Sequence, residues 1–175
     1  MIEEKDYKKL IRIVLIICSL FIVVHYTMTS YFPLFQVYSD SMNTSLRDGD
    51  VIIAYRLFKK LNRKDVIIAY SKSQNINVIK RIVALPGDTV TILNNDVQIN
   101  GKKIHEPYAT YKTSQKKIVT FTIPKGSYFI MGDNRNNSID SRNYGPVPID
   151  KILAKVVLMV YPGDGNFGRI GFVRK

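Results

Sequence analysis

From residue 13 to residue 39 no charged side chain interrupts the chain, and the first half of that stretch is mostly apolar. As a helix rising about 1.5 Å per residue, residues 13–32 cover about 30 Å, the thickness of a bilayer core. The pattern predicts a transmembrane helix over 13–32. Ser19, His25, Thr27, Thr29 and Ser30 are its polar interruptions, and Tyr26, Tyr31 and Phe32 suit an interfacial aromatic belt at its far end. The apolar core is long and no convincing small-x-small cleavage site follows it, which favours a retained anchor over a cleaved leader.

Beyond residue 33 the pattern changes to short β-branched and aromatic runs. Residues 51–55, 65–70, 77–84, 89–93, 96–99, 103–104, 118–123, 128–131 and 152–161 are expected strands. Turn residues separate them: Asp48-Gly49, Pro86-Gly87-Asp88, Asn94-Asn95, Asn100-Gly101 and Pro124-Lys125-Gly126. Asn100-Gly101 is a strong hairpin signal. Residues 55–62 could form one or two helical turns, and no longer helical pattern competes. The prediction is an all-β domain, an antiparallel sheet behind one N-terminal transmembrane helix. The polar, Tyr-rich stretch 103–117 is expected to be a mobile hairpin end or flap within a small cap region of about 94–127. The Gly-rich tail 162–175 is expected to be loosely structured, with Phe167, Ile170 and Phe172 in ordinary packing rather than against a membrane.

Lys5, Lys8, Lys9 and Arg12 precede the anchor, and the orientation rule counts mainly such residues. Residues 1–12 are therefore expected in the cytoplasm and 33–175 outside, in a single-pass topology at the cell membrane. Cys18 is the only cysteine and falls in the anchor, so no intramolecular disulfide can form. The domain must be stable by packing, and its length suffices for one core. The net charge of +12 fits contact with anionic membrane lipids, each nearby Lys or Arg contributing about 1 kcal/mol. No motif supports binding of nucleic acid.

Of the two histidines, His25 lies in the anchor and His105 in the polar hairpin region, where it reads as a surface imidazole. A Ser-His-Asp triad is thus disfavoured, and no His/Cys cluster suggests zinc. A hydroxyl nucleophile can instead be activated by a neutral lysine amine. Holding a lysine neutral at pH 7 costs about 4.6 kcal/mol, which complete burial can supply. Lys80 lies between apolar positions on both faces of an expected strand, Val78 and Ile82 on one and Ile79 and Val83 on the other. Taken alone, Lys80 could equally be a snorkelling lysine, and a serine before Met42, such as Ser41, is commonplace.

Four boxes change that balance. Ser39-Asp40-Ser41-Met42-Asn43-Thr44-Ser45-Leu46, the 63–70 segment, Lys80-Arg81-Ile82-Val83-Ala84-Leu85-Pro86-Gly87-Asp88 and the Gly132–Gly145 segment follow one another behind the anchor. In this order they resemble the bacterial type I signal peptidases, in the compact form of Gram-positive members. Two departures stand out: Thr44-Ser45 replaces the family's Pro-Thr, which is expected to loosen the turn presenting Ser41, and Lys64 replaces a glycine.

The resemblance implies an endopeptidase that removes signal peptides after small-x-small residues through an acyl-enzyme. It makes Ser41 the nucleophile and Lys80 the general base, with the Ser41 N–H and the Ser39 hydroxyl as oxyanion hole. Ser138 would orient the Lys80 amine, while Asp140 with Arg142 and Asp133 with Arg81 would be supporting ion pairs. Phe35, Val37, Met42, Leu46, Val78 and Ile79 would line the pockets for the −1 and −3 residues, beside a substrate bound as an added strand. It implies no metal or organic cofactor. The implied partners are signal-peptide-bearing preproteins, met by a monomer that could touch the secretion translocon. Two other readings are a non-catalytic, membrane-anchored peptide-binding relative and a self-cleaving repressor-type protease. The latter carries a DNA-binding domain where this chain has an anchor.

Overall fold

A computed structural model of the protein describes residues 4–93, 96–111 and 118–173. Helix α1 (Glu4–Tyr31) begins in the charged leading segment and runs through the apolar stretch. It is long and apolar enough to cross a membrane, and none of its apolar window is buried against the rest of the chain. Its end is fastened to the domain: the Arg56 N–H donates to the Tyr31 carbonyl at 3.1 Å, and Phe32 stacks on Tyr55.

The remainder is antiparallel β structure. Strands β1 (Leu34–Gln36), β2 (Val51–Tyr55), β3 (Val66–Ser71), β4 (Ile76–Ala84), β9 (Ser127–Met131), β10 (Val147–Pro148) and β11 (Ile152–Tyr161) form the main sheet, in the order β1-β2-β11-β3-β4-β9-β10. Strand β12 (Gly171–Phe172) pairs with β11. A second sheet holds β5 (Thr89–Leu93), β6 (Asp96–Ile99), β7 (Lys102–Lys103) and β8 (Ile118–Thr122), in the order β7-β6-β5-β8. The Asn100-Gly101 turn joins β6 to β7 with positive φ at both residues, as its sequence requires.

Alternation sorts the side chains into three apolar clusters. One unites Val37, Met42, Leu46, Ile52, Val66 and Ile68. A second gathers Leu61, Ile67, Val78, Ile82 and Ile130. The third joins the two sheets through Val83, Phe129 and Met131 against Val90, Val97 and Ile123.

Several segments differ from the sequence-based expectation. Residues 56–65 are irregular and contain no helix. Strands β1, β10 and β12 are too short to carry an alternation signal, and the four-residue helix α2 (Ser141–Tyr144) is fixed by a capping box from Asp140 and Asn143. The expected flap is anchored over residues 104–111: Tyr108 is buried, and the Glu106–Arg135 ion pair at 2.6 Å is almost fully out of water. Residues 112–117 of that stretch, and the Asn94-Asn95 turn, lie outside the described residues. The tail is held rather than loose. Buried Asp50 accepts two bonds from Arg169, at 3.1 and 2.6 Å, and one from the Gly163 N–H at 2.9 Å. Phe167, Ile170 and Phe172, expected to pack, are exposed.

Lys64 occupies the left-handed region, φ 72°. Its N–H donates to the Ile82 carbonyl and its own carbonyl accepts from Arg81 Nη1, both at 2.8 Å, so neighbouring β4 enforces the conformation. A Cβ is disfavoured there. Lys64→Gly is therefore expected to stabilise the domain by up to about 1 kcal/mol, read as a higher melting temperature. An unchanged or lower value would show that this backbone is unstrained.

Candidate active site

Ser41 sits in a 3-10 turn (Asp40–Met42) capped by Ser39, whose hydroxyl oxygen accepts the Ser41 N–H at 3.1 Å. The Ser39 hydroxyl keeps its own proton for a further partner. Lys80 lies mid-β4, and its Nζ donates to Ser41 Oγ at 2.7 Å. Both residues are nearly out of solvent, Lys80 at 4 % exposure and Ser41 at 7 %. Burial lowers the Lys80 pKa from 10.5 to about 8. Of the nearby charges, Asp140 and Asp133 oppose that shift and Arg142 adds to it.

The loop from Gly132 to Asp140 closes the site. Ser138 Oγ donates to Asp140 Oδ2 at 2.7 Å, so its bond runs to that carboxylate, and the hydrogen bond made by the Lys80 amine runs to Ser41. Fully buried Asp140 also takes the Gly132 N–H at 2.9 Å and two 2.8 Å bonds from Arg142. Arg81 and Asp133 make a second pair, fully buried and bidentate at 2.8 and 2.6 Å. Removing either partner would strand a charge, at a cost on the order of 3–5 kcal/mol. Gly132 is the contact point. A Cβ there would lie 2.5 Å from the Ser41 carbonyl oxygen and would overlap the Ser138 hydroxyl.

A cleft of about 780 Å³ opens beside the Ser41–Lys80 pair. Phe35, Val37, Met42, Val78 and Ile79 line it together with Ser39 and Ser138. Leu46 does not: it is fully buried in the cluster behind Met42. Two strand edges face this cleft. β1 ends the main sheet, and β9 pairs with β4 only from Arg81 onward, which leaves the 76–80 edge of β4 open on that side.

A family profile described as "Signal peptidase, peptidase S26" matches residues 8–161. The chain belongs to that family. Signal peptidase I U of Bacillus subtilis is 34% identical over 173 residues, covering 92% of each chain. Signal peptidase IB of Staphylococcus aureus is 31% identical over 172 residues, covering 87% of this chain and 88% of that one. Among solved structures, a signal peptidase I from Enterococcus faecalis V583 shares 31% identity at a TM-score of 0.49, over 55% of this chain and 97% of that one.

Several residues around the Ser41–Lys80 pair are not singled out by the sequence. Asn134 brackets the Ser41 turn: its N–H donates to the Ser41 carbonyl and its side-chain amide to the Asp40 carbonyl, both at 3.0 Å. Tyr108 lies beneath the Arg81 guanidinium, 4.1 Å from ring centroid to Cζ. Ile76 and Ile139 form an exposed apolar rim to the cleft. Asn134 lies within the last box and was legible as part of it. Tyr108 carried no signal beyond its aromatic character.

Two outcomes follow from this geometry. Because the folded-state pKa of Lys80 is depressed, its burial opposes folding at neutral pH, and the penalty fades as pH rises from about 8 towards 10.5. Lys80→Met is thus expected to raise stability on the order of 2 kcal/mol at pH 7, with the gain shrinking towards pH 10.5 in denaturant titrations. A pH-independent difference would contradict this. Gly132→Ala is expected to cut activity sharply by pushing Ser41 and Ser138 apart, and wild-type turnover by that variant would show that the contact yields freely.

Proposed function

We propose that this signal peptidase is a serine endopeptidase that removes signal peptides from exported preproteins, with Ser41 as nucleophile and Lys80 as general base. The observation that carries the reading is the buried 2.7 Å contact between Lys80 Nζ and Ser41 Oγ in the lining of the 780 Å³ cleft. Ser41 Oγ attacks the carbonyl carbon of the −1 residue while the neutral Lys80 amine takes its proton. The tetrahedral oxyanion is held by the Ser41 N–H and the Ser39 hydroxyl, whose mutual bond in the substrate-free site gives way to bonds with the substrate oxygen. Lys80 then hands the proton to the leaving amine, and the C–N bond breaks. A water molecule, deprotonated by Lys80, hydrolyses the acyl-enzyme, releasing the signal peptide and restoring the Ser41 hydroxyl.

The substrate binds extended between the open edges of β1 and residues 76–80, adding main-chain hydrogen bonds to both. Phe35, Val37, Met42, Val78 and Ile79, which line the cleft, form the pockets that select small residues at −1 and −3. Ser138, held by Asp140, lines the same cleft as the base, and the Asp140–Arg142 and Arg81–Asp133 pairs are scaffold. Helix α1 anchors the enzyme with residues 1–12 in the cytoplasm and 33–175 outside. Exposed Tyr161, Phe167 and Phe172, in a basic domain, suit contact with anionic lipid. The enzyme acts as a monomer within reach of the translocon.

In detergent, the wild-type chain is expected to process a preprotein whose signal ends in Ala-x-Ala and to leave one with a large −1 residue intact. Ser41→Ala and Lys80→Ala are each expected to lower processing by about 10³-fold or more. Normal processing by either variant would end the proposal.

A further inference from the structure

The Thr44-Ser45 step, expected to loosen the nucleophile turn, is instead tied at both hydroxyls. Thr44 Oγ1 donates to the Tyr108 carbonyl at 2.9 Å, a bond spanning 64 positions of sequence. Ser45 Oγ donates to Asp133 Oδ2 at 2.6 Å and accepts from Arg81 Nη2 at 3.1 Å. Both anchors are buried and paired. The Arg81–Asp133 pair has no solvent exposure, and buried Tyr108 is held under Arg81 on a loop that the Glu106–Arg135 pair pins.

The placement of these anchors gives the two bonds their function. Arg81 follows Lys80 directly on β4, and Asp133 follows Gly132, against which the Ser41 carbonyl packs. Ser45 therefore connects the turn bearing the nucleophile to the strand bearing the base through one buried carboxylate. Thr44 ties the same turn to the loop running from the second sheet. The backbone within the turn contributes a Ser45 N–H to Met42 carbonyl bond at 2.8 Å, which stiffens the turn without orienting it towards β4.

We infer that Thr44 and Ser45 are positioning residues, whose hydroxyls set the Ser41 turn against the Lys80 strand and hold the nucleophile within reach of the base. The inference rests on the Ser41/Lys80 reading above. Misplacement by about 1 Å at a reacting atom can cost on the order of 10²-fold in rate, so two directional bonds at this junction act on turnover rather than on binding.

The test compares the full chain in detergent with Thr44→Val/Ser45→Ala and with the conservative pair Thr44→Ser/Ser45→Thr, using one preprotein. The first variant is expected to lose about 10- to 100-fold in kcat, with KM within about twofold and the ascending limb of its pH profile unmoved. The conservative pair is expected to recover most of that loss. A natively melting Thr44→Val/Ser45→Ala protein with wild-type kcat, a change confined to KM, or no recovery in the conservative pair would each overturn the inference. If the double variant does not fold, Thr44→Val alone decides, with an expected loss of at least about threefold in kcat and restoration by Thr44→Ser. A wild-type chain that processes no preprotein refutes the proposed function. Equal turnover by wild type and variant refutes only the positioning role.

Discussion

A lysine amine held out of water against a serine hydroxyl is the constraint around which this domain is arranged. A charged ammonium is costly in such a place, and Lys80 yields by giving up its proton far more readily than a lysine in water, near pH 8. The Arg142 guanidinium pushes in the same direction, and the Asp140 and Asp133 carboxylates push back. The site therefore balances desolvation against the carboxylates that organise the surrounding loop. Folding bears the cost, as the proposed Ser41/Lys80 chemistry requires.

The pair must also be held in register, because Ser41, Lys80 and the 132–140 loop arrive from three distant parts of the chain. Two ion pairs, one fully buried and one with only its Arg142 end in partial contact with water, accomplish this from positions next to Ser41 and Lys80. Arg81 adjoins Lys80 and clasps Asp133, while Asp140 gathers Arg142, Ser138 and the Gly132 N–H. Gly132 lets the loop approach Ser41 at a distance no side chain permits. The sheet contributes by omission. Strand β9 stops pairing with β4 at Arg81, so the edge beside Lys80 stays available to an extended peptide. The Glu106–Thr110 loop from the second sheet then braces Arg81 and the Ser41 turn from behind.

Much of this was legible in the sequence. The long apolar run, the β-rich remainder and the Asn100-Gly101 hairpin follow from patterning, and the pairing of Arg81 with Asp133 and Arg142 with Asp140 is what the resemblance to the signal peptidases implies. What escaped was short or non-local. Three residues such as Leu34–Gln36 cannot express an alternation, and β1 owes its existence to its pairing with β2. The polar segment 104–111 looked mobile because its anchors, Arg135 and Asp133, lie more than twenty positions away. The tail looked loose for the same reason, since Arg169 finds Asp50 across the domain. The resemblance places Leu46 at the cleft through the first box, yet the turn directs it into the core.

The central claim is that burial makes the Lys80 amine a base at neutral to mildly alkaline pH. Its direct measurement is the NMR titration of the Lys80 side-chain nitrogen in the detergent-solubilised protein, assigned by comparison with Lys80→Met. The account predicts a midpoint near pH 8, well below that of the exposed lysines. A midpoint near 10.5, with the amine still charged through the range in which the enzyme turns over, would contradict it.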